Sequence, residues 1–191
     1  MTRLLTYSLT TSLDGYVVGP DGRFDWAAPD EEVFRLATDE VRGLGAHLMG
    51  RRLHESMLFW EDVDPARLSG PEREFRDLWR ALPKVVLSRS LAPEQVRGSN
   101  TRLATGSLTE EVERLRAEPG TDDLAVGGAQ LGTQAAHLGL LDEYRIRVLP
   151  VLVGGGTAYF AHDRRQVRLE LLESRPVGQV QYLRYRVLPT A

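Results

Sequence analysis

Three observations predict an α/β fold, a three-layer α/β/α sandwich with a mostly parallel central sheet and antiparallel C-terminal strands. Apolar runs of strand length alternate with amphipathic helical patterns through most of the chain, as βαβ units do. One such run, Leu124-Ala125-Val126, ends in Gly127-Gly128 and leads into a helix-compatible segment. Beyond Glu143 the period becomes two, with Tyr144, Ile146 and Val148 alternating against Arg145 and Arg147, which suits antiparallel strands. No repeat, low-complexity tract or linker interrupts the pattern, so residues 1–191 read as a single domain.

Each element has its own signal. Leu4–Leu9 reads as the first strand because Leu5, Tyr7 and Leu9 alternate with Thr6 and Ser8. Thr10–Asp25 reads as a turn-rich loop, since Asp14-Gly15, Gly19-Pro20 and Asp21-Gly22 are turn pairs, and a loop this long is commonly functional. Pro29-Asp30-Glu31-Glu32 opens a helix whose acids suit its N-terminal dipole, with Val33, Phe34, Ala37 and Val41 on one face. Ala46–Met49 is a strand closed by Gly50–Ser56, and an irregular stretch is expected through Pro65. A helix from about Pro71 buries Phe75, Leu78 and Leu82 and stops at Pro83. Val85–Leu87 is a further strand core. Ser107 and Glu110 form a capping box for a helix with Val112 and Leu115 inside, broken by Pro119-Gly120. After Gly128, Leu131, Ala135 and Leu138 point inward and Gly139 is the stop. Glu143–Val153, Val167–Glu173 and Gln179–Leu188 then form an antiparallel hairpin or meander.

Composition excludes several function classes. The chain is 42% hydrophobic and 27% charged with a net charge of -3, so nothing draws it to nucleic acid or an anionic membrane. There is no cysteine, hence no disulfide, thiolate chemistry or Cys-based metal site. His47, His54, His137 and His162 lack metal-ligand spacing, and no metal is expected. The N-terminus lacks a signal-peptide pattern, and no apolar run approaches the ~18 residues of a membrane span, so a cytoplasmic location is expected. Lys84 is the sole lysine; arginine supplies the other cations and is the better residue for a fixed phosphate contact.

Three strand ends carry residues suited to phosphate. Gly127-Gly128 permits a sharp turn and leaves backbone N–H groups at a helix start facing a pyrophosphate. Arg51 and Arg52 follow Gly50, and Ser88-Arg89 follows the next strand, offering charge-assisted and hydroxyl contacts to a terminal phosphate. Each alone also fits a plain turn or a solvated surface charge. In a parallel sheet all three ends share one rim, where open α/β folds bind ligands. An extra phosphate remote from the pyrophosphate distinguishes NADPH from NADH.

The segments "SLDGYVVG", "FDWAAPD", "LMGRRLHES", "VVLSRS" and "LAVGGAQL", in that order, resemble the dihydrofolate reductase-like superfamily over nearly the whole chain. The branch they resemble most is related to the reductase domain of the bifunctional riboflavin-biosynthesis deaminase-reductase. This resemblance implies an NADPH-dependent reductase acting on a small heterocyclic substrate of pyrimidine, pteridine or riboflavin-pathway type. It places Gly50, Arg51, Arg52 and Leu53, with Ser88 and Arg89, at the adenosine 2′-phosphate, and Val126, Gly127, Gly128, Ala129, Gln130 and Leu131 at the pyrophosphate turn. Thr10, Val18 and Gly19 fall beside the nicotinamide, with the Thr10–Asp25 loop as a lid. Trp26 and Asp30 fall at the substrate, Asp30 or else Asp14 ordering the water that protonates the product. Departures exist: Leu53 replaces the threonine of the family's "GRxT" pattern, "MLFWEDVDP" stands where riboflavin reductases keep a "DDPxLT"-like segment, and no preceding zinc deaminase domain is expected. Asp30 directly after a proline also fits a simple helix cap. The alternatives are a non-catalytic ligand-binding protein on the same fold and a true dihydrofolate reductase. The resemblance also implies a homodimer, for which the tail strands with Tyr182, Leu183 and Tyr185 offer an edge or face.

Overall fold

The apolar runs become the strands of one eight-stranded sheet in a computed structural model that describes residues 3–160 and 166–189. In chain order the elements are β1 (Leu5–Ser12), β2 (Tyr16–Val18), α1 (Glu31–Arg42), β3 (Leu44–Gly50), α2 (Arg51–Met57), α3 (Phe59–Asp62), α4 (Gly70–Ala81), β4 (Lys84–Leu87), β5 (Thr101–Leu103), α5 (Leu108–Ala117), β6 (Asp123–Gly127), α6 (Ala129–His137), β7 (Glu143–Leu149), β8 (Thr157–Ala158), β9 (Leu169–Val177) and β10 (Val180–Val187). The sheet order is β5-β4-β3-β6-β1-β7-β10-β9, and β2 and β8 make a separate two-stranded ribbon. From β5 to β7 every pairing is parallel; β10 and β9 are antiparallel.

Strand alternation sets the layers. One face carries Leu5, Tyr7, Leu48, Val85, Leu124, Val126 and Ile146, which pack with Leu108, Val112 and Leu115 of α5 and Leu131 and Ala135 of α6. The opposite face carries Met49 and Val86 against Phe75 and Trp79 of α4, with Phe34 of α1 and Leu53 and Met57 of α2 joining them. A third cluster joins Val33 of α1 to Leu149, Val177, Val180 and Tyr182, with Trp26 packed beside it. The three-layer sandwich with an antiparallel end is therefore the observed architecture.

Two local signals hold to the residue: Asp30 caps α1, and Ser107 with Glu110 closes a capping box on α5. Ser69 with Glu72 closes a further capping box on α4. Gly139, at φ +67, ends α6 in the left-handed region that glycine tolerates. Other expectations are corrected. β1 runs on to Ser12 because Thr10, Thr11 and Ser12 pair with Arg147, Val148 and Leu149, a long-range ladder that their polar side chains hid. The Gly50–Pro65 region is largely helical: α2 is supported by an i,i+4 pair, Arg51 to Glu55 at 2.6 Å, and α3 continues it. Leu138 is 49% exposed, because the chain leaves the helix there and Leu140, not Leu138, turns back onto the core cluster. β7 stops at Leu149, where Pro150 follows. Trp79, not the expected Leu78, is buried beside Phe75 on α4, and Trp60 packs on Phe34 and Phe75.

Candidate functional site

Parallel register brings the three glycine- and arginine-bearing strand ends to one rim. Gly50 lies opposite Leu87, and Met49 lies opposite Gly127, so α2, the Ser88 loop and the Gly127-Gly128 turn leave the sheet side by side. Arg51 crosses the gap, donating from Nη1 to Ser90 Oγ at 3.2 Å. Leu53 closes the other side: a Cβ built on Gly127 would lie 2.5 Å from Leu53 Cδ2 and 2.5 Å from His47 Cε1. Leu53 and His47 thus occupy the space that a side chain at Gly127 would need, and Gly127 itself is buried. Gly128, at φ +88, makes the turn into α6 in a conformation that only glycine adopts without strain.

The electrostatics of this rim differ from those of every other long helix start. α2 and α6 have no side-chain cap and no acid in their first turn, so their leading N–H groups and positive dipole ends await an outside acceptor. Arg51 is already tied to Glu55 at 2.6 Å. Arg52 and Arg89 are exposed, and neither side chain has a hydrogen-bond or ion-pair partner among the described residues. Ser88 Oγ accepts from Ser90 N and Leu91 N at 3.2 Å, shaping the loop that holds Arg89. Beneath Gly127, burial and the nearby Lys84 charge push His47 down to about 4, so a neutral imidazole forms the floor. Val126 and Leu131 belong to the core on the far face, and the rim receives only their backbone. Ala129 and Gln130 open α6 with their amides toward the rim.

The other expected residues lie nearby with varied duties. Thr10 accepts from Arg147 Nε at 3.1 Å. Val18 ends β2, which β8 holds by pairing, and Gly156 passes so close to the Val18 carbonyl that no Cβ fits there. The presumed lid is thus anchored at its middle, and Gly19 N donates to Arg23 O at 2.8 Å to turn its tip. The Trp26 indole sits with the third cluster, its Nε1 buried without a partner and 3.8 Å from where a Gly19 Cβ would lie. Asp30 accepts from Val33 N at 2.9 Å and from Gln179 N at 2.8 Å. Those amides, Val33 first, hold its carboxyl below the usual range. Asp14 likewise accepts from Gly154 N at 2.8 Å and from Val153 N, and a hydrogen bond with Ser12, followed by these amides, lowers it. Both acids brace loops.

A polar cluster that sequence reading passed over begins at Ser8, level with Gly127 on the neighbouring strand. Arg147 Nη1 donates to Glu40 Oε2 at 2.6 Å and to Ser8 Oγ at 2.9 Å; Ser8 Oγ donates to Glu40 at 2.7 Å and Tyr182 OH donates to Glu40 Oε1 at 2.8 Å. Arg147 and Tyr182 are buried. Glu40 looks like an ordinary surface acid at the end of a helix, and the one signal in the sequence was Arg145 and Arg147 recurring on a strand otherwise fit for burial. Of the four histidines, His162 falls outside the described residues; among the described residues no group of ligating side chains could hold a metal, and no helix is long and apolar enough to cross a membrane.

Comparison with known proteins matches this chain to a family. The RibD C-terminal domain model matches residues 3–183. The uncharacterized protein YyaP of Bacillus subtilis is 29% identical over 176 residues, covering 91% of this chain and 88% of its own. A provisionally named riboflavin biosynthesis protein of Shewanella sp. PV-4 superposes with a TM-score of 0.73 at 22% identity, covering 99% of this chain and 100% of its own. A pyrimidine reductase-like protein of Corynebacterium diphtheriae superposes with a TM-score of 0.66 at 18% identity, covering 99% and 93%.

Proposed function

The chain belongs to the RibD C-terminal domain family, and from that premise we propose that it is an NADPH-dependent reductase of a small heterocyclic substrate. One observation carries this reading: the uncapped Gly127-Gly128 turn and the arginine-bearing segments after Gly50 and Leu87 leave one rim side by side. The residues present suit the cofactor. The amides of Gly128, Ala129 and Gln130 would hold the pyrophosphate, and Arg52 and Arg89, aided by Arg51 and Ser90, the 2′-phosphate. NADPH, when bound, supplies the hydride; the protein orients the ring and keeps water away.

Calorimetry with the two reduced dinucleotides tests the reading. NADPH should bind more tightly than NADH, and Arg51→Ala should erode that preference by about 1–3 kcal/mol, as loss of a charge-assisted contact does. Equal affinities in the wild type would sink the pocket assignment. The non-catalytic alternative has specific support in Asp30 and Asp14, whose carboxylates are committed to backbone amides. Loss of NADPH absorbance with pyrimidine and pteridine acceptors separates a reductase from a binder. The same Asp30 bonds speak against a true dihydrofolate reductase, and absence of tight methotrexate binding is the expected result. Leu171, 55% exposed on the open edge strand β9, supports a homodimer, to be checked by sedimentation.

A further inference from the structure

A small cavity lies beneath α2, on the face of the sheet that α4 covers, and His54, Glu61, Trp79 and Lys84 are among the residues that line it. It offers about 10 Å³ to the centre of a water-sized molecule, room for one and no more. Three polar side chains on its walls each keep one hydrogen-bonding place unspent. His54 is 5% exposed, and its Nε2 is buried without a partner among the described residues. Lys84 is 3% exposed, and two of its three N–H groups go to Trp79 O and Leu82 O. Glu61 accepts from Ser99 N and Ser99 Oγ at 3.0 Å and pairs with Arg80 Nε at 3.2 Å, which fills three of a carboxylate's roughly four lone-pair positions.

The chemistry of these three groups selects the occupant. The Lys84 ammonium pairs with no carboxylate among the described residues; it rests on carbonyls at the end of α4 and over the Trp79 ring, 5.4 Å from its centroid. A buried N–H left over there is costly, and so is a buried imidazole nitrogen with no partner. Water meets both needs, because it accepts from Lys84 while donating to His54 and to Glu61. A halide only accepts, and the Glu61 carboxylate repels it.

We infer that this cavity is a binding site for one water molecule, which joins Lys84 Nζ to His54 Nε2 and Glu61 and so ties α2 and α3 to the start of β4. The bridge braces from below the two segments whose rim ends carry Arg52 and Arg89. It stands apart from the reductase reading, and no cofactor enters its test.

Lys84 is the sole lysine, so the full chain labelled with isotopic lysine gives one side-chain ammonium signal in magnetic resonance. Burial brings Lys84 down to about 8, opposed by the Glu61 charge and aided by that of Arg80. His47 and His54 are both held low by burial and stay neutral across that window. His54→Phe keeps a ring and removes the nitrogen that anchors the water. The Lys84 titration should then fall by about 0.5–1 pH unit, the equivalent of one hydrogen bond, and the urea midpoint should fall with it. His54→Gln, whose amide reaches the same place, should restore most of both. Without the bridge, phenyl merely relieves an unpaired nitrogen. A Lys84 titration that stays or rises, or a urea midpoint that rises, therefore overturns the proposal. Wild-type crystals grown in sodium bromide give a second readout that holds even if His54→Phe does not fold. A water peak within about 3 Å of Lys84 Nζ and His54 Nε2 is expected. Anomalous bromide density there, or no peak, overturns the water site.

Discussion

Arginine is used in opposite ways at the two ends of the sheet. At the antiparallel end each strand arginine meets an acid: Arg145 to Glu143 at 2.6 Å, Arg184 to Glu143 at 2.8 Å, and Arg186 to Glu170 at 2.8 Å. Glu143 is nearly inaccessible, and although burial alone would raise its carboxyl, the Arg184 and Arg145 hydrogen bonds win and hold it low. At the parallel rim, Arg52 and Arg89 have no acid partner among the described residues and stand beside two helix starts that lack caps. A buried charge must be paired or the fold loses several kcal/mol. An exposed, unpaired charge costs the fold almost nothing, so it is free for a ligand. The contrast teaches that unmet polarity marks the site better than residue type does.

The largest effect should come from breaking the paired end. Glu143→Ala removes the shared acid of Arg145 and Arg184, leaves them Asp123 and Glu173, and should cost about 3 kcal/mol in urea unfolding for the two charge-assisted bonds lost, while the NADPH-to-NADH ratio stays as it was. Next, Arg52→Ala with Arg89→Ala should weaken NADPH by roughly 10- to 100-fold and spare NADH, with stability changed by less than about 0.5 kcal/mol. A destabilised double variant with unchanged cofactor preference would invert the comparison. Acidity sharpens it further. His47 has a folded value near 4 and a free value of 6.5, so the unfolded chain binds the extra proton between them. Its contribution to stability is complete above about pH 6.5 and is lost as pH falls toward 4. Urea midpoints across that window should slope less in His47→Phe. The smallest effect concerns helix starts. Ser107→Ala removes the α5 cap and should cost about 1 kcal/mol. Ala129→Asp adds an acid to the first turn of α6 and should stabilise by about 0.3–1 kcal/mol while weakening NADPH, a pair of opposite signs that only a ligand-directed helix start produces.

The fold was largely readable because its signals are local. The Ser107–Glu110 box, the Gly139 stop and the alternation in β7 each depend on neighbours within a few positions. So do the three rim segments, since a parallel sheet of βαβ units puts every strand end on the same edge. The duties of single polar residues were less legible. Asp30 also holds Gln179, distant in sequence, on its second oxygen, a duty that no local pattern announces. Glu40 gave no sign of Arg147 and Tyr182, because those partners lie on other strands. Leu138 looked inward by its helical spacing, yet the helix ends one residue earlier.

Periodicity, caps and turn glycines in the sequence determined the order of elements, their layering and the edge where a ligand would lie, because backbone propensities and apolar spacing act over a few residues. Tertiary structure alone decided which charges are neutralised and which are left free. A hydrogen bond or ion pair depends on atoms meeting within about 3 Å, and for residues on different strands only the folded register sets that distance.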